Sequence, residues 1–174
     1  MAIYYNPALK NMDFEEWCQW KREEKKRKTH NAEEITDNAV YSAFFAINDI
    51  CFKKALYYTP LFFIPPDLTE ENPDNVGMYG YGVIMISKPY YEEHGLDTEF
   101  LQTLYHEMVH AYCDAHGITD AKGKKHLAAF ATVCEENGGF ASFEDEIHGF
   151  SKVIIRTEKL DSIKERVKER TAKL

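Results

Sequence analysis

Residues 106–110 read H-E-M-V-H, and they constrain this chain more than any other stretch of its sequence. Residues four apart lie on one face of an α-helix, one turn above the other. His106 and His110 placed in this way can hold one Zn²⁺ through two of its tetrahedral positions. Glu107 then lies close enough to take a proton from a water that the metal activates. The pattern therefore predicts a helix that carries a metal site with hydrolytic chemistry directed at peptide bonds.

The segment around this pattern has the features of an amphipathic helix. Asp97 or Thr98 can cap its N-terminus, and Gly117 follows as a residue type that commonly ends helices. His106 and His110 share one face, which we expect to look into a cleft. Another face is apolar and is expected to be buried. Its residues are Leu101, Leu104, Met108, Ala111 and Ala115.

A catalytic zinc site usually takes three protein ligands and leaves a fourth position for water. For the third ligand we favour His126, which directly precedes a helix predicted over residues 127–136. Phe130 lies one turn later on the same face, and its packing against the first helix would bring His126 beside the metal. The sequence thus predicts a metal site made by His106, His110 and His126.

Two other sources of a third ligand remain open. His116 stands six residues after His110, a spacing that known metalloproteases use when a glycine lets the chain turn out of the helix. Here the glycine position is Cys113, which does not favour such a turn. If the helix instead continues, the side chain of His116 points away from the histidine pair. Glu135 or Glu136 is a further option, although either carboxylate would have to face inward at a highly charged helix end.

The rest of the chain reads as a mixture of helices and short strands. Apolar periodicity predicts the helices, and β-branched or aromatic runs predict the strands. Gly80 and Gly82 suggest a bulge or a close approach of the backbone. We therefore expect the α+β class, with a small, mostly antiparallel sheet packed against helices. Further helices are expected at 13–28, 33–54 and about 158–172, strands at 61–64 and 79–87, a loop at 67–77, and either type at 150–156.

No repeat, low-complexity stretch or linker divides the chain, so we expect one domain over residues 1–174, with a core at about 33–157. The formal net charge of −8 weakens long-range attraction to nucleic acid and to membranes. The four cysteines form no C-x-x-C pair, and we interpret them as reduced thiols of an intracellular protein. No signal-peptide pattern and no apolar stretch of membrane-spanning length is visible, so a cytoplasmic location is expected.

Four stretches of the sequence, spread over about residues 40–139, resemble the SprT-like family of zinc metallopeptidases. The stretch LYHEMVHAY, residues 104–112, is very similar to the active-site helix of that family. Residues 126–130, HLAAF, resemble the element that carries its third zinc ligand. Residues 47–52 are similar to its early helix, and residues 80–87 to its glycine-containing hairpin strand.

The resemblance implies a zincin-like single domain and assigns roles position by position. His106, His110 and His126 match the zinc ligands, and Glu107 matches the general base. The implied activity is hydrolysis of peptide bonds in protein or peptide substrates, with DNA-associated proteins as one substrate class. Leu127 departs from the family pattern, which usually has glycine after the third histidine, so the local backbone is expected to differ.

Two rival hypotheses come from other classes of protein. One is a nucleic-acid-associated module whose zinc is purely structural, drawing on Lys122, Lys124, Lys125 and the basic end at 164–173. That end also contains glutamates, so a solvated helix is the better interpretation. The other is a partner-binding protein with a degenerate metal site. The sequence predicts no oligomeric state.

For the peptidase hypothesis, the strand expected at 79–87 is the candidate edge that holds an extended substrate by strand addition. Tyr79 and Tyr81 are candidate donors to the oxyanion, although ordinary strand aromatics are the simpler interpretation. Glu107 would take a proton from water and pass it to the leaving amine.

Overall fold

The computed structural model of this protein describes residues 32–56, 59–66, 68, 75–80 and 82–173. The helix expected at 13–28, Tyr81 and most of the loop expected at 67–77 lie outside these residues. The described helices are α1 (Asn38–Ile50), α2 (Lys88–His94), α3 (Thr98–Ala115), α4 (Ala128–Glu136) and α5 (Thr157–Thr171). The described strands are β1 (Leu61–Phe63), β2 (Gly77–Gly80), β3 (Val83–Ile86), β4 (Ala121–Lys122), β5 (Lys125–His126), β6 (Gly139–Ser142) and β7 (Lys152–Ile155).

This order of elements belongs to the α+β class, as the sequence predicts. The strands form three small sheets, whereas the sequence predicts one. The first has the order β1-β3-β2, and the hairpins β4-β5 and β6-β7 form the other two. Only β1 and β3 run parallel among these pairs, so the expectation of mostly antiparallel pairing is confirmed. The ambiguous segment at 150–156 contains strand β7.

The single strand expected at 79–87 is wrong, because this segment folds into the hairpin of β2 and β3. The two strands pair antiparallel, with Tyr79 opposite Ile84. Gly82 has a positive φ of 76°, a left-handed conformation that glycine adopts without steric cost. A glycine that suggested a bulge therefore marks the reversal between two strands.

The helix expected at 33–54 is shorter than the sequence suggests. The side chain of Asp37 caps the start of α1 by accepting a hydrogen bond from the Ala39 N–H at 2.7 Å. At the other end, Lys53 and Lys54 both have positive φ, which is incompatible with a continuing right-handed helix. Helix α1 therefore occupies only the middle of the predicted span.

The helix that carries the H-E-x-x-H pattern begins and ends as predicted. The side chain of Asp97 accepts a hydrogen bond from the Phe100 N–H at 2.9 Å and so caps α3. At the other end Gly117 has a φ of +67°, and the Ile118 N–H donates back to the Cys113 carbonyl at 2.8 Å. This is the Gly-terminated type of helix end, which satisfies a carbonyl that the helix leaves without a partner.

One apolar cluster lies where α3 packs between α1, α4 and the strands, and α5 closes it by packing on α1. Of the face predicted to be buried, Ala115 is exposed because it lies in the last turn of α3; the other four residues are buried. Large side chains that fill the cluster include Phe44, Ile47, Leu104, Tyr105, Met108, Phe130 and Ile163.

The described cysteines, Cys51, Cys113 and Cys134, are free and buried, which agrees with the expectation of reduced thiols. Burial raises the pKa of the Cys51 and Cys134 thiols to about 12, so both stay protonated at neutral pH. No described helix combines the length and the apolar character that crossing a bilayer would require.

Candidate metal centre

Three imidazoles converge on one point of the structure. The Nε2 atoms of His106 and His110 lie 3.2 Å apart, and each lies 3.0 Å from the Nε2 atom of His126. In a tetrahedral zinc site with bonds of about 2.0–2.1 Å, ligand nitrogens are separated by about 3.3–3.4 Å. The observed triangle is close to that size, and these three residues can bind a metal ion.

In each ring, the hydrogen bond made by Nδ1 determines whether Nε2, which faces the centre of the cluster, has a lone pair free to bind a metal ion. The Nδ1 atom of His110 lies 2.6 Å from the carboxylate of Asp120, and the Nδ1 atom of His126 lies 3.1 Å from the carbonyl oxygen of His148. Both partners are acceptors, so each Nδ1 atom must donate its proton. His106 is hydrogen-bonded to the backbone of Ser151.

These contacts leave lone pairs on the Nε2 atoms of His110 and His126, and those lone pairs face each other at 3.0 Å. Neutral imidazoles in this arrangement repel, unless a cation or a proton lies between them. The donor set is therefore arranged as in metal sites, where the second nitrogen of each ligand ring is fixed by an outer partner. This chemistry of the donor atoms fits a divalent metal ion.

His126 is held in place mainly by backbone contacts. Its N–H donates to the His148 carbonyl at 2.8 Å, and its own carbonyl accepts from the Phe150 N–H at 3.2 Å. Gly149 packs so closely that a Cβ atom there would overlap the carbonyl oxygen of His126. Residues 148–150, between β6 and β7, thus pack closely against the backbone of His126.

Phe130 packs against the histidines of α3, as the sequence predicts. Its ring centroid lies 4.7–4.9 Å from the centroids of all three imidazoles. His126 itself ends β5, and Leu127 occupies the N-cap position of α4 with a φ of −88° and a ψ of 168°. Because any residue adopts this extended conformation, the position needs no glycine.

Glu107 lies in the same helix turn as His106, and its side chain is buried, with the residue 5% exposed. Burial raises the pKa of Glu107 to about 7, and the charge of Asp120 adds to this effect. The neighbouring His110 and a hydrogen bond from the backbone N–H of Tyr79 act in the opposite direction. The carboxyl group is therefore a buried acid–base group beside the histidine cluster.

Burial and the neighbouring imidazoles hold the pKa of His106 well below its usual value, and burial also lowers that of His126. Burial would likewise lower the pKa of His110, but its hydrogen bond to Asp120 and the charges of Glu107 and Asp120 raise it above the usual value. Two of the three rings thus favour the neutral form that a metal ligand requires.

The alternatives for the third ligand lie outside the cluster. The ring of His116 stacks on Tyr112 with centroids 3.9 Å apart, and its Nδ1 atom bonds to the Tyr112 carbonyl. Glu135 and Glu136 are exposed at the end of α4. Of the His, Cys, Asp and Glu residues that the structure describes, only the three histidines form a metal-sized group.

Asp120 is a site residue that sequence reasoning missed. It lies in a polar loop, where a single aspartate carries no periodicity and matches no motif. The backbone carbonyl of His148 is also part of the site, and a backbone acceptor leaves no trace in residue types. Its place in the sequence between the cluster residues His110 and His126 is the one signal that the sequence offers.

Comparison with protein families, with curated proteins and with solved structures gives no match for this chain.

Proposed function

We propose that this chain is a zinc-dependent metallopeptidase of the SprT-like, zincin-like type that hydrolyses peptide bonds. The observation that carries the proposal is the triangle of Nε2 atoms, 3.0–3.2 Å on a side, with the buried carboxyl group of Glu107 one residue from His106. Three histidines and a neighbouring carboxylate on one helix form the donor set and the base that hydrolytic zinc sites use. The resemblance of residues 104–112 to the SprT-like active-site helix supports the same class.

His106, His110 and His126 would hold the ion. Zinc, when bound, supplies a Lewis acid for the substrate carbonyl and brings the pKa of water toward neutrality. A site of three neutral imidazoles leaves the full positive charge of the ion for this purpose.

Glu107 is the group that moves the proton. Its buried carboxylate accepts a proton from water at one oxygen and returns it to the nitrogen of the departing amine. The carboxyl pKa of about 7 in the protein places the group near the pH at which general acid–base catalysis is most effective. Because Glu107 is buried, little water screens its carboxylate, and its electrostatic interaction with nearby charges is stronger than it would be at the surface.

Strand β2 is the candidate edge for an extended substrate. It occupies one end of the order β1-β3-β2 and packs on α3, the helix that carries Glu107. Backbone groups on an outer strand can pair with a peptide, which positions a scissile bond without demanding particular side chains. We therefore propose that the substrate lies between β2 and the histidine cluster.

The nucleic-acid alternative gains little support from the basic end of the chain. Arg170 donates to Asp49 at 2.8 Å, and Arg166 lies 3.5 Å from Glu169. These arginines of α5 therefore have acidic neighbours, which reduces the positive potential available to phosphates. DNA-associated proteins remain one substrate class within the proposal.

The substitution Glu107→Gln tests the proposed function. The variant is expected to retain about one zinc per chain, because the three imidazoles are unchanged, and to lose at least about 100-fold in turnover, because the amide cannot accept the proton. Zinc is measured by elemental analysis and turnover on a fluorogenic peptide library or on casein.

Glu136→Gln is the matched control, since it removes a glutamate that is exposed at the end of α4 and is not part of the histidine cluster. It is expected to keep both zinc and turnover. Full activity in Glu107→Gln, or absence of zinc from the wild-type protein purified without chelator, would contradict the proposal.

A further inference from the structure

The outer edge of β2 presents alternate backbone groups toward α3. The Ser87 N–H donates to the Val76 carbonyl at 2.9 Å, so these opposite residues form a hydrogen-bonded pair of the antiparallel ladder. Such pairs alternate along two strands. The backbone groups of Gly77 and Tyr79 therefore point away from β3, at the edge that faces the site.

Tyr79 contacts α3 at two places. Its backbone N–H donates to the carboxylate of Glu107, and its hydroxyl donates to Oδ2 of Asp114 at 2.8 Å. Glu107 and Asp114 are seven residues apart, which corresponds to about 10.5 Å along a helix. Tyr79 thus contacts two residues of α3 that lie nearly two turns apart, one before and one after His110 in the sequence.

Gly77 allows this close approach. A Cβ atom at position 77 would lie 3.0 Å from Oε1 of Glu107 and 3.0 Å from Cγ2 of Thr103. Both separations are shorter than ordinary contacts between side chains. The absence of a side chain at residue 77 lets the strand lie directly on the carboxylate.

We propose that Tyr79 is a positioning residue for Glu107, an inference that rests on the peptidase function proposed above. The bond between its hydroxyl and Asp114 fixes β2 on α3, and the fixed strand presents the Tyr79 N–H to one oxygen of the Glu107 carboxylate. With that oxygen engaged, the other oxygen is directed at the water and the leaving amine. Hydrogen bonds to ionised carboxylates are short and directional, which suits them to this task.

This assignment gives the phenol a role different from that of an oxyanion donor. The hydroxyl proton of Tyr79 already points at Asp114, so donation to a substrate oxyanion would first require that bond to break. A positioning role needs no such rearrangement.

Amide hydrogen exchange tests the geometry without reference to activity. In zinc-loaded protein the Tyr79 amide is expected to be protected, and Glu107→Ala should increase its exchange at least about tenfold, because the acceptor is gone. Glu107→Gln keeps an oxygen acceptor and should preserve most of the protection. Equal exchange of the Tyr79 amide in wild type and Glu107→Ala would overturn the proposal.

Tyr79→Phe and Asp114→Ala then test the hydrogen bond between the Tyr79 hydroxyl and Asp114. Each is expected to speed exchange of the Tyr79 amide and to lower kcat about threefold to tenfold, with KM and zinc content unchanged. The double variant should be no worse than either single one, because both remove the same bond. Additive losses in kcat, or a change in KM alone, would contradict the proposal that the hydrogen bond between Tyr79 and Asp114 positions Glu107.

Tyr91→Phe is the matched control. It removes a tyrosine–aspartate hydrogen bond of the same kind, between Tyr91 and Asp37, away from the cluster. Its exchange pattern at Tyr79 and its kcat should equal those of wild type. If wild type cleaves no peptide, the proposed function fails, while the exchange of the Tyr79 amide still decides whether the strand holds Glu107.

Discussion

The Nδ1 atom of His110 lies 2.6 Å from Oδ2 of Asp120, a buried carboxylate that stands in the sequence between the cluster residues His110 and His126. The backbone of Asp120 has a second role, because its carbonyl accepts the Leu127 N–H at 2.7 Å. One residue therefore orients the ring of His110 and also anchors the chain directly after His126. Pairs of this kind fix the ring and strengthen it as a metal ligand.

Replacing Asp120 by Asn is expected to weaken zinc binding about 10- to 100-fold, because the amide keeps the size of the side chain but removes its negative charge. The affinity is measured by competition with a chromogenic chelator. Asp161→Asn, at an exposed position of α5, is the control and should bind zinc like wild type. An unchanged affinity in Asp120→Asn would show that this carboxylate does not support the metal.

His126 and His116 provide a direct comparison between a residue inside the cluster and one outside it. His126→Ala removes one of three donors and should lose most bound zinc, while His116→Ala, whose ring rests on Tyr112, should keep it. Zinc at 100 times its dissociation constant stabilises a folded protein by about 2.7 kcal/mol. Thermal unfolding with and without chelator should therefore show a shift of several degrees in wild type and in His116→Ala, and no shift in His126→Ala. Retention of the shift in His126→Ala would place the third ligand elsewhere.

Gly149 and Gly123 have nearly the same backbone conformation, with φ of +67° and +63°, but different surroundings. A side chain at either position costs about 1–2 kcal/mol in this left-handed conformation. At 149 the new Cβ would also overlap the His126 carbonyl, whereas at 123 it meets nothing within 4 Å. Gly149→Ala should therefore lower the free energy of unfolding more than Gly123→Ala, and only Gly149→Ala should weaken zinc binding.

Urea unfolding gives the two free energies, and chelator competition gives the two zinc affinities. Equal losses in both variants would mean that the fit of Gly149 against His126 does not hold the third histidine in place. Comparing the two variants separates the overlap with the His126 carbonyl, which occurs only at position 149, from the cost of a positive φ, which both alanine substitutions share.

The parts of the site that the sequence predicts are those with local signals. The sequence predicts both ends of helix α3, because Asp97 and Gly117 act on the residues next to them. The sequence predicts His126 from its place just before the helix that carries Phe130, which is again a local relationship. The family, the activity and the extent of the domain remain predictions from the resemblance and from the composition.

The parts that the sequence did not predict depend on contacts between distant segments. The carbonyl of His148 and the backbone of Ser151 bind histidine rings, but any residue type has these groups. The sequence predicts one strand where the β2–β3 hairpin lies, because a reversal at Gly82 and a bulge leave the same glycine signal. In both cases the outcome depends on what packs nearby, which residue types alone do not encode.

Gly77 and Gly80, at the two ends of β2, separate the effect of crowding Glu107 from the effect of altering the strand. A Cβ at 77 would lie 3.0 Å from the Glu107 carboxylate, while a Cβ at 80 meets nothing within 4 Å. Gly77→Ala is therefore expected to displace the carboxylate and to lower kcat roughly 10- to 100-fold, the range associated with misplacing a catalytic group by about 1 Å. Gly80→Ala should keep kcat near the wild-type value, and both variants should retain zinc because neither residue touches the histidine rings. Steady-state kinetics with elemental analysis checks this, and equal kcat in the two variants would show that the close approach of β2 does not position Glu107.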